Sequence, residues 1–215
     1  MPIAASTRAG PAAPKVRDIT GAVYFLAITV FLVADADLIA RLTHAHPYGM
    51  GFTKFAALAT FGECLKNRLA AGYWLPSRLS LRVLIWGIFG LWIPAAFPFM
   101  DGGTRTLASL HLWPAEPAAL WMSIWINLFA GFGFFMMFMH YWTDSMLMQG
   151  IHASWQLLGR PETVRWGKVI LISIVLFWIP AHTMTFLLPP VWRILFAAYL
   201  GIALGLIPSF ASTNG

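Results

Sequence analysis

Four ionisable residues lie inside long apolar stretches of this sequence: Glu63, His140, Asp144 and His182. An ionisable side chain at membrane depth costs about 2.5 to 3.5 kcal/mol on insertion scales, so it indicates a function unless a structural partner compensates it. Carboxylates and histidines can relay protons or bind a small polar ligand. We therefore predict that these four side chains form a polar interior.

Two of these residues, His140 and Asp144, are four positions apart and lie on one face of a helix. An aspartate in this position can orient a histidine as a proton acceptor, or both can ligate a metal. The alternative is a structural histidine whose ring forms its hydrogen bonds at the membrane interface. His182 is close to Pro180, which removes a helix hydrogen bond and leaves a carbonyl free to line a polar cavity.

Glu63 follows Gly62, and a lone ionised carboxylate would be disfavoured facing lipid. We expect it to point into the bundle, either protonated or paired with Lys66 or His182. Lys54 lies nine residues earlier, on the opposite face of the same segment. Its long aliphatic stem predicts that it extends its amine towards the membrane surface.

The histidines also allow a cofactor interpretation, in which His140 and His182 ligate one haem or individually hold pigment magnesium. The sequence contains no phosphate loop, nucleophile elbow or zinc-protease motif. It therefore predicts no metal site and favours a protein that is not an enzyme. The single cysteine, Cys64, permits no intramolecular disulfide.

The composition indicates a membrane protein, because 59% of the 215 residues are hydrophobic and only 10% are charged. Soluble domains carry about 25% charged residues and need them to cover their surface. Lipid must therefore cover much of this surface. The net charge of +6 reflects membrane topology rather than nucleic-acid binding.

The apolar sequence divides into segments that are each near the roughly 17 to 25 residues needed to cross a bilayer. The segments are 20–42, 50–66, 81–100, 117–142, 168–188 and 191–210. They predict an all-α bundle of about six transmembrane helices. The chain then comprises a basic mobile tail (1–18), one transmembrane domain (19–210) and a short polar tail (211–215). The second segment is the weakest candidate for a span, because Lys54 and Glu63 interrupt its apolar sequence.

Basic residues cluster in the first tail and in alternate loops, which places both termini on the cytoplasmic or matrix side. Small residues recur every four positions at Ala197, Gly201 and Gly205, so a neighbouring backbone can approach closely there. Packing within the chain is the favoured interpretation. A homo-oligomer seam or contact with other membrane subunits is the alternative.

From about residue 50 to 209 the sequence resembles the Mpv/PMP family of mitochondrial inner-membrane and peroxisomal membrane proteins. The matching residues are Gly62-Glu63, then Arg82, Gly87, Gly90 and Pro94, then Trp178, Pro180, Phe186, Pro189 and Arg193. The chain departs from the family pattern at Ile179, His182 and Thr185. The resemblance implies a channel-like or small-solute-handling protein.

A bacterial or mitochondrial inner membrane is the expected location. The alternative function is a subunit of a larger membrane complex that binds a cofactor, pigment or lipophilic ligand. This alternative is motivated by 11 Trp, 17 Phe and the histidines within the apolar segments.

Overall fold

The computed structural model describes the backbone of residues 16–155 and 161–212, and side chains as far as residue 203 except those of 153, 161 and 162. Within these ranges the chain is almost entirely helical and contains no strand, which confirms the all-α prediction. The helices are α1 (Val16–Ala34), α2 (Ala36–Ala45), α3 (Pro47–Ala71), α4 (Leu79–Ser109), α5 (Ala118–Ile124), α6 (Phe132–Gln149), α7 (Ile151–Trp155), α8 (Pro161–Ser173), α9 (Ile179–Leu187) and α10 (Pro190–Ser212).

Three helical stretches in the described residues are long and apolar enough to cross a membrane: α1, α4 and the continuous run Thr163–Leu187. A fourth is added if α5 and α6, which meet at a bend of 50°, form one span. Large apolar side chains point outward, with Phe31, Phe99 and Leu176 at least 68% exposed. Exposed apolar surface along whole helices is typical of contact with lipid rather than water.

Two of the predicted segments are broken rather than continuous. In the first, Asp35 separates α1 from α2 and caps α2, because its side chain accepts a 2.9 Å hydrogen bond from the backbone N–H of Leu38. In the fourth, predicted as one helix over 117–142, the chain bends at Gly131, whose φ of +68° favours glycine. The prediction of unbroken helices in these two segments was therefore wrong.

In the described residues, two π-helical turns, Trp125–Phe129 and Ile174–Trp178, interrupt the α-helical pattern. The second lies directly before Pro180, which has no N–H and would crowd the carbonyl four residues earlier in a regular α-helix. A wider turn relieves that contact. The predicted element 168–188 is thus one helical run that begins earlier, at Pro161.

Helix α3 occupies the centre of the bundle, packed between α4 and α10. Small residues allow this close approach, since a Cβ on Gly51 would meet the carbonyl oxygen of Gly90. A Cβ on Gly201 would lie 2.8 Å from the Cβ of Ala59. Gly201 therefore packs within the chain, whereas the surroundings of Gly205 lie outside the described residues.

Lys54, in α3, is fully buried at 1% exposure and donates a 2.7 Å hydrogen bond to Thr43 Oγ1 in α2. Thr43 in turn donates to the carbonyl oxygen of Ile39 at 2.6 Å. The prediction that Lys54 extends to the membrane surface was therefore wrong. The Thr43 hydroxyl accepts this hydrogen bond inside the bundle. The spacing of residues within α3 could not predict a partner in α2.

Candidate functional site

A cluster of five ionisable side chains joins α3, α4 and α6 near the α3–α4 loop. We call it the Glu63 network, and its members are Glu63, Lys66, Arg82, His140 and Asp144. Helix geometry places Lys66 one turn after Glu63 and Asp144 one turn after His140, so each pair shares a face. Arg82, in the first turn of α4, completes the cluster from the third helix.

Glu63 lies at the centre of this network and is fully buried at 0% exposure. Its Oε2 atom accepts a 2.7 Å hydrogen bond from Arg82 Nη1 and lies 3.0 Å from Lys66 Nζ. Taking a carboxylate out of water costs several kcal/mol, which only close and well-directed cations recover. Glu63 therefore points into the bundle, paired with Lys66 as expected and with Arg82 in addition.

Asp144 forms the half-buried outer edge of the network at 31% side-chain exposure. Its Oδ1 lies 2.6 Å from Arg82 Nη2, and its Oδ2 lies 3.5 Å from Lys66 Nζ. Both basic residues are thus shared between two carboxylates. With a neutral imidazole on His140, the two acids and two bases balance, so the network can remain buried without net charge.

His140 contacts the inner oxygen of Glu63, with its Nε2 3.3 Å from Oε1. The distance is within ion-pair range, but Oε1 has no hydrogen-bond partner of good geometry among the described residues. His140 Nε2 therefore lies beside Oε1 without forming a well-directed hydrogen bond to it. On its other side, the His140 ring lies 4.9 Å from the ring of Trp86, centroid to centroid.

His182, the fourth predicted residue, is separate from this network and packs against Asn127 between α9 and the π-helical turn Trp125–Phe129. Its Nδ1 lies 2.9 Å from Asn127 Nδ2 and 3.2 Å from Oδ1. Asn127 Nδ2 also donates to the carbonyl oxygen of Ser123 at 2.9 Å. The structure thus brings together Glu63, His140 and Asp144, and does not bring His182 to them.

A small cavity of about 50 Å³ lies between these two polar groups. His182 and Trp178 line one part of it, and Trp86, whose ring is tilted against that of His140, lines another. Phenylalanine rings make up much of the remaining wall: Phe55, Phe89 and Phe132. The interior therefore contains a largely apolar space with polar groups on two sides.

A second buried ion pair joins the end of α4 to the start of α10. Arg193 Nη1 donates to Asp101 Oδ2 at 2.8 Å, and its other nitrogens donate to the carbonyl oxygens of Leu188 and Phe186. Asp101 also pairs with the exposed Arg105. Arg82 and Asp101 stand nineteen residues apart on α4, or about 28 Å at the usual helical rise.

Residues that the sequence did not mark as site residues contribute much of this geometry. Arg82 was assigned to topology, although a buried Glu63 requires a cation close by. Asn127 is a lone amide in the most apolar segment, which is itself a signal of a polar function. Asp101 and Arg193 are far apart in the chain and have no common sequence pattern.

His140 and His182 lie in separate polar groups with a cavity of only about 50 Å³ between them, and the cofactor interpretation stays a prediction. Pockets for drug-sized ligands occupy about 300 to 1,000 Å³, many times the space between these residues. Nor do three or more His, Cys, Asp or Glu side chains come together as a metal site anywhere in the described part of the chain.

No protein-family model, curated protein or solved structure matches this chain. The resemblance to the Mpv/PMP family therefore stays a prediction, and the function is argued from the geometry of the interior.

Proposed function

We propose that this chain passes a small solute across a membrane and that the Glu63 network lines one mouth of its path. The observation that carries the proposal is Glu63 itself, a fully buried carboxylate whose Oε1 has His140 Nε2 beside it at 3.3 Å but no hydrogen bond of good geometry among the described residues. Buried ionisable groups inside helical membrane proteins typically mark solute or proton paths. A purely structural carboxylate would be expected to have both oxygens satisfied.

The spacing of the two buried ion pairs supports this role. The Glu63 network lies at the start of α4, and the Asp101–Arg193 pair lies near its end. Their separation along α4, about 28 Å, is close to the roughly 30 Å thickness of the hydrocarbon core. The central cavity lies between them, so the polar groups follow the expected direction of transport.

Six crossings, with both termini on the cytoplasmic or matrix side, are the topology that we propose. Each of α1, α3, α4, α5–α6, α8–α9 and α10 then crosses once. Helix α3 is too polar to face lipid, but its ionisable residues Lys54 and Glu63 contact α2, α4 and α6 instead. A helix shielded in this way can cross without exposing charge to lipid.

Membership of the Mpv/PMP family, in a bacterial or mitochondrial inner membrane, remains part of the proposal. The residues on which the resemblance rests form contacts between helices, which supports the proposed membership. Glu63 pairs with Arg82, and Gly90 packs on Gly51. Gly62 allows the backbone of α10 to approach, since a Cβ there would lie 2.7 Å from Cα of Ile202.

The test is solute flux in vesicles reconstituted with purified protein. Stopped-flow light scattering after an osmotic step should show faster entry of formamide and acetamide than in protein-free vesicles, with sucrose excluded from both. Entry of every small solute at the protein-free rate would overturn the proposed function.

A further inference from the structure

We propose that the central cavity is a binding site for a small, neutral molecule that carries an oxygen acceptor. The side chains that hold it are Trp178 and His182. The role of this site as a station on a transport path rests on the proposed function. The binding itself rests only on the cavity and the groups that line it.

Trp178 provides the first polar contact. Its side chain lines the cavity and is 6% exposed, and its indole Nε1 is buried with no hydrogen-bond partner among the described residues. The indole N–H can only donate, so it requires an acceptor. Buried donors without acceptors are rare because they lose their hydrogen bond to water. A ligand oxygen in the adjoining cavity would satisfy this group.

His182 provides the second polar contact. Nδ1 lies 2.9 Å from the amide nitrogen of Asn127 and 3.2 Å from its oxygen, and we assign Nδ1 as the acceptor of the nearer nitrogen. The ring proton of the neutral imidazole is then on Nε2, which makes this atom a donor as well. The Trp178 and His182 rings lie 5.5 Å apart, centroid to centroid. Both rings line the cavity, and a ligand with an oxygen acceptor matches the donors that they carry.

The walls of the cavity exclude an ion. Among the described residues that line it there is no carboxylate, amine or guanidinium, and most are aromatic or aliphatic. A charged molecule would lose its hydration there without gaining a counter-charge. The charged residues of the Glu63 network neutralise one another outside the cavity. A neutral molecule is therefore the occupant that these walls accept.

The size of the cavity limits the ligand. Its volume is about 50 Å³ on a scale where one water molecule needs about 10 to 15 Å³. It therefore accepts a molecule of about three or four non-hydrogen atoms. Formamide and acetamide have this size and a carbonyl acceptor. Formate matches formamide in size but is charged, and glycerol is larger.

Binding is tested by nuclear magnetic resonance on detergent-solubilised protein labelled with ¹⁵N-tryptophan. The Trp178 Nε1–H signal, assigned by its loss in Trp178→Phe, should shift saturably with formamide and acetamide but not with sodium formate or glycerol. Trp113 is the matched control, because its Nε1 is also buried and unpartnered but its side chain does not line this cavity. No shift at Trp178, or equal shifts at both residues, would overturn the site.

Flux measurements separate this inference from the proposed function. Trp178→Phe keeps an aromatic side chain, although a smaller one, and removes the donor, so we expect formamide entry into vesicles to fall at least fivefold, with Trp113→Phe unchanged. A saturable shift without any flux supports the site and contradicts transport. Flux that persists in Trp178→Phe, with no shift in the parent, contradicts the site and leaves transport standing.

Discussion

Arg82 Nη1 donates a 2.7 Å hydrogen bond to Glu63 Oε2, and neither side chain is more than 6% exposed. This bond joins the end of α3 to the start of α4. Lys66 and Asp144 extend it towards the surface, and His140 extends it inward. The fold therefore depends on these charges being present together, which makes the effects of single substitutions predictable.

Removing the Glu63 carboxylate should destabilise the bundle. In Glu63→Leu the buried Arg82 and the partly buried Lys66 lose one of their two shared acceptors, and breaking a buried pair in this way costs about 3 to 5 kcal/mol. Glu63→Gln should cost less, because its amide oxygen still accepts hydrogen bonds. Unfolding by sodium dodecyl sulfate titration measures both effects.

The double variant Glu63→Leu/Arg82→Leu tests whether the loss comes from the pair. Since it leaves fewer uncompensated charges, we expect it to be more stable than the sum of the two single losses by about 0.5 to 3 kcal/mol. Arg78→Leu, at an exposed loop position, is the control and should be neutral. Additive losses would mean that Glu63 and Arg82 act independently.

The second ion pair predicts a contrast between two arginines that share Asp101. Arg193 is buried and donates three hydrogen bonds, so Arg193→Met should cost about 2 to 3 kcal/mol. Arg105 is 65% exposed, so Arg105→Met should cost less than about 1 kcal/mol. Thermal unfolding in detergent compares them. Equal losses would contradict the assigned burial.

Packing of α3 on α10 depends on the absence of side chains at two glycines. Gly62→Leu and Gly201→Leu should each destabilise the protein by about 1 to 3 kcal/mol, because the new side chain meets the facing helix. Gly102 has no neighbour within 4 Å of an added Cβ, so Gly102→Leu is the matched control. Parent-like melting of both Gly62→Leu and Gly201→Leu would refute the contact.

The proposed topology predicts the side from which two exposed loop positions and one exposed position at the start of α8 react. In a Cys64→Ser background, Leu75→Cys and Val164→Cys should react with a membrane-impermeant thiol reagent from the same side as the carboxyl terminus. Leu112→Cys should react from the other side. These three positions are 65%, 66% and 69% exposed, so accessibility does not limit labelling. Labelling of Leu75→Cys from the side opposite the carboxyl terminus would end the six-span proposal.

The helical class and the closeness of Glu63 to Lys66 follow from composition and local spacing. The face shared by His140 and Asp144 follows likewise, because residues three and four apart are neighbours on any helix. The packing role of Gly201 could also be predicted from the sequence, since a small residue in an apolar helix permits close approach of a neighbouring helix.

The rest depends on contacts between distant parts of the chain. Lys54 is buried because Thr43 of α2 accepts its hydrogen bond, and Arg193 is buried because Asp101 of α4 faces it. Arg82 was interpreted from its place in a basic loop and from the family resemblance, although it also neutralises the buried carboxylate of Glu63. One basic residue can serve both purposes, and its sequence position does not distinguish them.

The central claim, that the Glu63 network controls solute passage, is tested most directly by formamide flux through vesicles containing equal amounts of folded parent, Glu63→Gln or Glu63→Leu protein. We predict that Glu63→Leu abolishes entry above the protein-free rate and that Glu63→Gln retains part of it, because the amide keeps an acceptor beside His140. Parent-like flux through folded Glu63→Leu protein would contradict the claim.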